Sequence, residues 1–313
     1  MSTSLLALAL AFLPARAVAD ATLTGSWALD RIDQTNLPLD STYTPSGDGA
    51  GVNVYVVDGG ILNEHEEFGG RVETGPDFSS EVPFRSCPGR IPSHGTHTAG
   101  LVASRWHGVA PSAHLIDVRV LDCKGKTTKE RMEEALRWIA KNAVRPAVVN
   151  MSVGSPSKND AIDDAVRELV VGAGIPLVVS AGNEGTDACQ HYPSNVTEAI
   201  VVGATSDHDV LAPFSNVGSC IDVLAPGWGV LSTLALRSNA TGPFYGTSEA
   251  SPLVAGAVAL YLQRHPEATP VEIENALKAT ATQGVIKDPD THTTDLASTP
   301  NLLLNVRALL ARP

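Results

Sequence analysis

The sequence predicts an α/β fold of three layers, a mostly parallel, twisted sheet with helices on both faces. Three observations carry this. Short runs of apolar, β-branched residues recur, as at residues 52–57 and 147–153, with too little polar alternation for strands wetted on one side. Stretches with helical spacing of apolar residues lie between them. Several of the apolar runs also end on a polar residue, as expected where strands point their carboxyl ends at one site.

Taken in order, residues 52–57 run into Asp58-Gly59-Gly60, so a strand buried on both faces presents Asp58 at its end. His94-Gly95-Thr96-His97-Thr98-Ala99-Gly100 reads as the start of a helix whose small residues permit close packing. Residues 115–121 form the next strand. The clearest helix spans residues 128–143, because Met132, Ala135, Leu136, Ile139 and Ala143 share one face. Strands at 147–153 and 177–181 bring Ser152 and Asn183 to carboxyl ends, and strands at 200–204 and 221–224 extend the sheet. Gly246-Thr247-Ser248-Glu249-Ala250-Ser251-Pro252 opens a second small-residue helix. With no internal repeat or low-complexity linker, residues 22–313 read as one domain.

The 313 residues are 43% hydrophobic and 18% charged, with a formal charge of −12. The most apolar run, residues 5–13, is too short to span a bilayer, and the acidity argues against a nucleic-acid surface. That run, followed by Pro14 and Ala15-Arg16-Ala17, resembles a secretory leader with a small-residue cleavage site, although no Lys or Arg precedes it. Residues 1–21 are therefore expected to be a signal peptide or a remnant leader, and the protein to be secreted. Cys87, Cys123, Cys189 and Cys220 lack CxxC spacing, which argues against zinc or a thioredoxin-like motif. Two disulfides are expected, with four buried thiols the alternative.

A serine hydroxyl becomes a good nucleophile when an imidazole takes its proton and a carboxylate holds that imidazole. Asp58, His94 and Ser248 stand at strand and helix ends in the order Asp, His, Ser, whereas an α/β-hydrolase would run Ser, Asp, His. Val56-Val57-Asp58-Gly59-Gly60, His94-Gly95-Thr96-His97, Ser180-Ala181-Gly182-Asn183 and Gly246-Thr247-Ser248 together resemble the signature blocks of the subtilisin-like serine peptidases (peptidase family S8). Ser26-Trp27 through Asp33-Gln34 resembles the start of the proteinase K and aqualysin-like branch. Each block alone would be an ordinary turn, packing residue or loop; four in order are specific.

The resemblance implies a subtilisin-like fold and a broad-specificity serine endopeptidase acting on polypeptides, with Ser248 as nucleophile, His94 as base and acid, Asp58 as orienting carboxylate and Asn183 as oxyanion donor. It implies that Gly125, Lys126 and Thr127 and Ser152, Val153 and Gly154 pair with an extended substrate. Gly154, Ala181 and Gly182 would line a pocket roomy enough for a large apolar or aromatic side chain. Thr127 and Ser155 stand where relatives usually have Gly, which narrows the outer subsites. It further implies disulfides Cys87–Cys123 and Cys189–Cys220, though the sequence itself leaves the other pairings open. A calcium site at Asp30, Asp33, Gln34 and Asp40 is implied, with a capped, solvated acidic surface as the alternative, and a second at Asp222 with carbonyls near Thr197 and Ala199. No organic cofactor is expected, nor any nucleic-acid or membrane partner, and the chain is expected to be a monomer. Family members fold with an inhibitory propeptide, for which the stretch before Trp27 is too short. Two departures stand out: Glu249 follows Ser248 where the family usually has Met, and Leu253 replaces a usual His. They support one rival reading, a catalytically silent scaffold. A dinucleotide site at Gly172-Ala173-Gly174 fails for want of a third glycine and a following helix.

Overall fold

Alternation within single strands decides the architecture. The computed structural model describes residues 22–79, 82–87, 93–155, 160–288 and 298–311, so the leader call at 1–21 lies outside the described residues. In chain order the strands are β1 (Thr22–Leu23), β2 (Thr42–Tyr43), β3 (Asn53–Asp58), β4 (Val72–Asp77), β5 (His114–Arg119), β6 (Ala147–Met151), β7 (Leu177–Ser180), β8 (Ile200–Thr205), β9 (Val223–Pro226), β10 (Trp228–Thr233), β11 (Thr241–Tyr245), β12 (Thr282–Gln283) and β13 (Leu302–Leu303). The helices are α1 (Trp27–Ile32), α2 (His94–Ala103), α3 (Lys129–Asn142), α4 (Asp160–Arg167), α5 (Thr247–Arg264), α6 (Pro270–Thr280) and α7 (Val306–Ala311).

Nine strands form one sheet in the order β12-β13-β9-β8-β7-β6-β3-β5-β4, parallel throughout except for the short antiparallel edge β12. Val54 and Val56 of β3 pack into one apolar cluster with α1, α2, α5, α6 and α7. Tyr55 and Val57 of the same strand pack into the opposite cluster with α3 and α4. A period of two sends neighbouring side chains to opposite faces, so a strand with both faces covered is apolar throughout, and the three layers follow. The predicted helix at 128–143 is α3, capped by the Thr128 hydroxyl, with Met132, Ala135, Leu136 and Ile139 buried.

Two features were not anticipated. The edge strand β4 reads Val-Glu-Thr-Gly-Pro-Asp and is largely uncovered, so it lacks the apolar run that marks its neighbours. The hairpin β10–β11 lies outside the main sheet and packs β10 against α2, with its own alternating burial in β11. The sheet switches direction at β3: the chain lays β4 and β5 on one side of it, then crosses to β6 on the other. That switch point leaves a crevice at the carboxyl ends of the strands.

The first helix is tied to the loop after β8 by a buried ion pair. Arg31 is fully buried; its Nε and Nη2 donate to the two carboxylate oxygens of Asp209 at 2.6 and 3.1 Å, and Nη1 donates to the Gln34 carbonyl at 2.8 Å. Removing one partner strands the other charge away from water. Arg31→Met should lower unfolding free energy by about 3–5 kcal/mol in urea titrations. Adding Asp209→Asn should recover part of it, since Asn removes the orphan charge and tolerates the left-handed backbone there (φ 56°). An Arg31→Met protein as stable as the parent would contradict this.

Candidate active site

The carboxyl end of β3 and the amino end of α2 meet at an acid–imidazole pair. Asp58 is fully buried, and His94 Nδ1 lies 2.8 and 2.9 Å from its two oxygens. Gly59 N–H and the Thr98 hydroxyl also donate to the carboxylate, at 2.6 and 3.3 Å. A carboxylate only accepts, so Nδ1 carries the proton and Nε2 is the free lone pair. Burial pulls the His94 imidazole down, but the charge and hydrogen bond of Asp58, with a smaller contribution from Glu249, raise it to about 9. The side chain is one-third exposed, and solvent there screens both effects.

This contact needs α2 to come unusually close. A Cβ on Gly95 would lie 2.6 Å from the Gly60 carbonyl oxygen and 3.2 Å from Asp58 Cβ, so only glycine lets the residue after His94 pass the end of β3.

Asn183 follows β7, and its orientation is fixed from α5. Its Oδ1 accepts from Thr247 N–H at 2.8 Å and from the Thr247 hydroxyl at 3.0 Å, which leaves the amide N–H groups free to donate elsewhere. The Thr247 hydroxyl in turn accepts from Gly182 N–H at 3.1 Å.

Ser248 is the second residue of α5 and is nearly buried. Pro252 lies four residues further on and has no N–H, so the Ser248 carbonyl lacks its helical donor. Ser152 at the end of β6 supplies it, donating from Oγ at 3.2 Å, while Ser152 Oγ accepts from Asn150 Nδ2 at 3.0 Å. Ser248 Oγ donates back to the Ser152 carbonyl at 3.2 Å, so in this resting arrangement the hydroxyl is held by Ser152 rather than by His94.

His94, Asn183 and Ser248 line one cleft of about 800 Å³. Gly125, Lys126 and Thr127 from one segment, Ser152, Val153 and Gly154 from another, and Ala181 and Gly182 line the same cleft. The structure thus brings together every residue expected at the reacting centre and in the substrate groove. It also adds Tyr192, which sequence reading missed: Tyr192 lines the cleft from a segment with no local signal, and it exchanges backbone hydrogen bonds with Ser155 at 3.0 Å. Thr247 was legible in the Gly-Thr-Ser block but not its role in aiming Asn183.

Comparison with known proteins gives the family of the chain. Residues 49–299 match the sequence model of the subtilase family (Peptidase S8). The chain belongs to the subtilase family. It is 45% identical over 280 residues to an extracellular serine proteinase of Thermus sp. (strain Rt41A), covering 89% of this chain and 65% of that protein. It is 41% identical over 272 residues to alkaline serine exoprotease A of Vibrio alginolyticus, covering 86% and 49% respectively. The chain therefore spans between about half and two-thirds of the length of these two relatives. A solved cold adapted subtilisin-like serine proteinase superposes with a TM-score of 0.83 at 38% identity, covering 91% of this chain and 99% of that one. The fold is the subtilisin-like α/β fold. Among the described residues no helix is long and apolar enough to cross a membrane.

As in the expected subtilase pairing, Cys87 is bonded to Cys123 and Cys189 to Cys220. Loops of 36 and 31 residues make each bridge worth about 3–4 kcal/mol on chain-entropy grounds.

The residues expected to bind calcium lie away from the cleft. In the first loop, Asp30 accepts from Asp40 N–H and Ser41 N–H, Asp33 from Thr44 N–H and hydroxyl, and Asp40 from Thr42. Gln34 donates to the Asn36 and Pro38 carbonyls. Burial, assisted by the neighbouring Asp40 and Asp30 charges, raises the Asp33 carboxyl. Hard oxygens under mutual repulsion suit a calcium ion in kind, although among the described residues no three acidic, His or Cys side chains are gathered tightly enough for a metal. Asp222 does not fit. Lys278 Nζ from α6 sits 2.5 Å from its Oδ1, and Oδ2 accepts from Val201 N–H at 2.7 Å, so an ammonium already stands where the second ion was expected.

Because the whole site hangs on the approach of α2 to β3, Gly95→Ala should push His94 off Asp58. A displacement of an ångström is costly to chemistry. The expected result is a loss of roughly 10–100-fold in kcat/KM on a peptide substrate with an unchanged circular dichroism spectrum; parental activity would show that α2 has slack to accommodate a methyl group.

Proposed function

We propose that the chain is a secreted serine endopeptidase in which Ser248, His94 and Asp58 form the catalytic triad and Asn183 serves the oxyanion. One observation supports this above the rest: an imidazole proton fixed on Asp58 leaves Nε2 bare in the cleft that also holds Ser248 and the free amide of Asn183.

The steps follow from these groups. Ser248 Oγ leaves the Ser152 carbonyl, gives its proton to His94 Nε2, and bonds to the carbonyl carbon of the substrate. The carbonyl π electrons move to oxygen, where Asn183 Nδ2 and the Ser248 N–H donate to the new oxyanion. Collapse re-forms the carbonyl and breaks the C–N bond, and the leaving amine takes the proton from His94. Water then repeats the sequence on the acyl-enzyme, freeing the acid and returning the proton to Ser248. Asp58 stabilises the imidazolium in both halves.

The substrate would lie extended between the two segments, with main-chain pairing that is largely blind to side chains. The small residues Gly154, Ala181 and Gly182 favour a large apolar or aromatic residue before the scissile bond, since burying a charge there without a partner is costly.

A fluorophosphonate probe should label the protein and fail to label Ser248→Ala, whereas the scaffold reading, suggested by Glu249 and Leu253, predicts no labelling of either. His94 must be neutral to act as base, and its upward shift puts the acidic limb of kcat/KM above the ordinary imidazole value of about 6.5. Peptide-library profiling of the same preparation should show large apolar residues before the cut; dominant Arg or Asp there would overturn the pocket assignment.

We also propose that the loop of Asp30, Asp33, Gln34 and Asp40 holds a stabilising calcium ion, which when bound would relieve the repulsion among these carboxylates. A ligand at a hundredfold its Kd adds about 2.7 kcal/mol to the folded state. EGTA should therefore lower the melting temperature of the parent and leave Asp33→Asn unaffected. Equal EGTA sensitivity of the two proteins would remove this site.

A further inference from the structure

The residue after the nucleophile is an acid in a place that gives it almost no water. Glu249 is 2% exposed, and His97, one turn beyond His94 on α2, is fully buried. Their side chains face each other, His97 Nδ1 lying 3.5 Å from Glu249 Oε1, and neither of these two atoms has a hydrogen-bond partner. The tautomer of His97 is set from its other side. Its Nε2 lies 3.1 Å from the Gly242 carbonyl, an acceptor, so Nε2 carries the proton and Nδ1 offers a lone pair. Phe244 stacks on the ring at 4.3 Å between centroids and holds that orientation.

An ionised Glu249 would point one lone pair at another across a dry gap. The contact becomes favourable when one proton lies between the two atoms. Burial drives His97 down to about 3 and Glu249 up to about 7, so that proton belongs on the carboxyl group. We propose that Glu249 and His97 form a second acid–imidazole pair behind the catalytic one, in which the Glu249 carboxylic acid donates to His97 Nδ1, and that release of this proton places a charge that makes His94 a stronger base. Glu249 is then a positioning residue, acting through His94.

The surroundings allow this coupling. His94 on α2 and Asp58 at the end of β3 are the charged groups that act on Glu249, and Asp117 on β5 stands behind Asp58. His94 and His107 also act on His97. The hairpin contributes the Val230 and Gly242 carbonyls and the Phe244 ring, none of which titrates. The signs follow. A negative Glu249 stabilises the His94 imidazolium and moves the acidic limb of kcat/KM to higher pH; a neutral side chain at 249 leaves Asp58 alone to set it. Because two groups titrate together, the limb reports apparent values for the set.

This rests on the peptidase reading, and the test separates the two. Steady-state pH profiles are compared for the parent, Glu249→Gln, Glu249→Met and His97→Asn. Both variants at 249 should move the acidic limb down by roughly half to one pH unit, about 3–10-fold in kcat/KM on the limb. His97→Asn puts an amide donor where the acceptor was, favours the ionised carboxylate, and should move the limb the opposite way. Loss of packing alone would lower activity without this opposition of sign. Infrared pH-difference spectra of the full chain give a readout independent of turnover: a buried carboxylic C=O band, absent from Glu249→Gln. Coincident limbs in parent and Glu249→Gln overturn the proposal, as does an infrared spectrum unchanged by that substitution. If the parent is inactive, the peptidase reading falls, and the infrared band alone then decides whether the pair exists.

Discussion

The approach of α2 to the end of β3 is the constraint on which the site depends. The Asp58–His94 contact requires a helix start within hydrogen-bond reach of a strand end, and the backbone of Gly60 fills the space where any side chain at position 95 would go. Once that helix is placed, its next turn brings His97 against Glu249, and its buried face of Leu101, Val102 and Ala103 packs with α5 in one cluster. Catalytic geometry and core packing are therefore one arrangement.

The amino end of α5 shows the same economy. A proline six residues into a helix ordinarily costs a hydrogen bond, yet here the freed Ser248 carbonyl is met by Ser152 from the neighbouring strand end. The hydroxyl of Thr247 couples Gly182 to Asn183, so a single side chain holds both a residue lining the cleft and the donor. Buried polar groups cost least when each lone pair and proton is used, and in the Asn150–Ser152–Ser248 relay the donors are used while Asn150 Oδ1 is left without a partner. His97 and Glu249 stand apart because their two unpartnered atoms face each other.

Charge away from the cleft is handled by pairing within the chain. Arg31 meets Asp209 from the loop after β8, and Lys278 meets both Asp222 and Glu274. At Asp222 a tethered ammonium does by covalent connection what a bound cation would do by affinity. An internal cation carries no dependence on free ion concentration, so this corner differs from the first loop, where the acidic oxygens accept from backbone amides and hydroxyls and Arg307 acts on Asp40 by charge alone.

The sequence by itself determined the layers and pointed to one set of candidate site residues. Strands covered on both faces must be apolar throughout, and an Asp, a His and a Ser at separate element ends in the order Asp58, His94, Ser248 point to few architectures. It did not reveal β4 or the β10–β11 hairpin, because an open edge and a strand packed on a helix carry no such apolar run. Nor could it show that Lys278 lies on Asp222, 56 positions away, that Tyr192 lines the cleft beside Ser155, or that His97 faces Glu249 across 152 positions. Those contacts are set by how α6, the segment after β7, and α2 dock on the sheet. Local sequence encodes a residue's periodicity and its place on an element, while the partner of a buried polar atom is chosen only when distant elements pack.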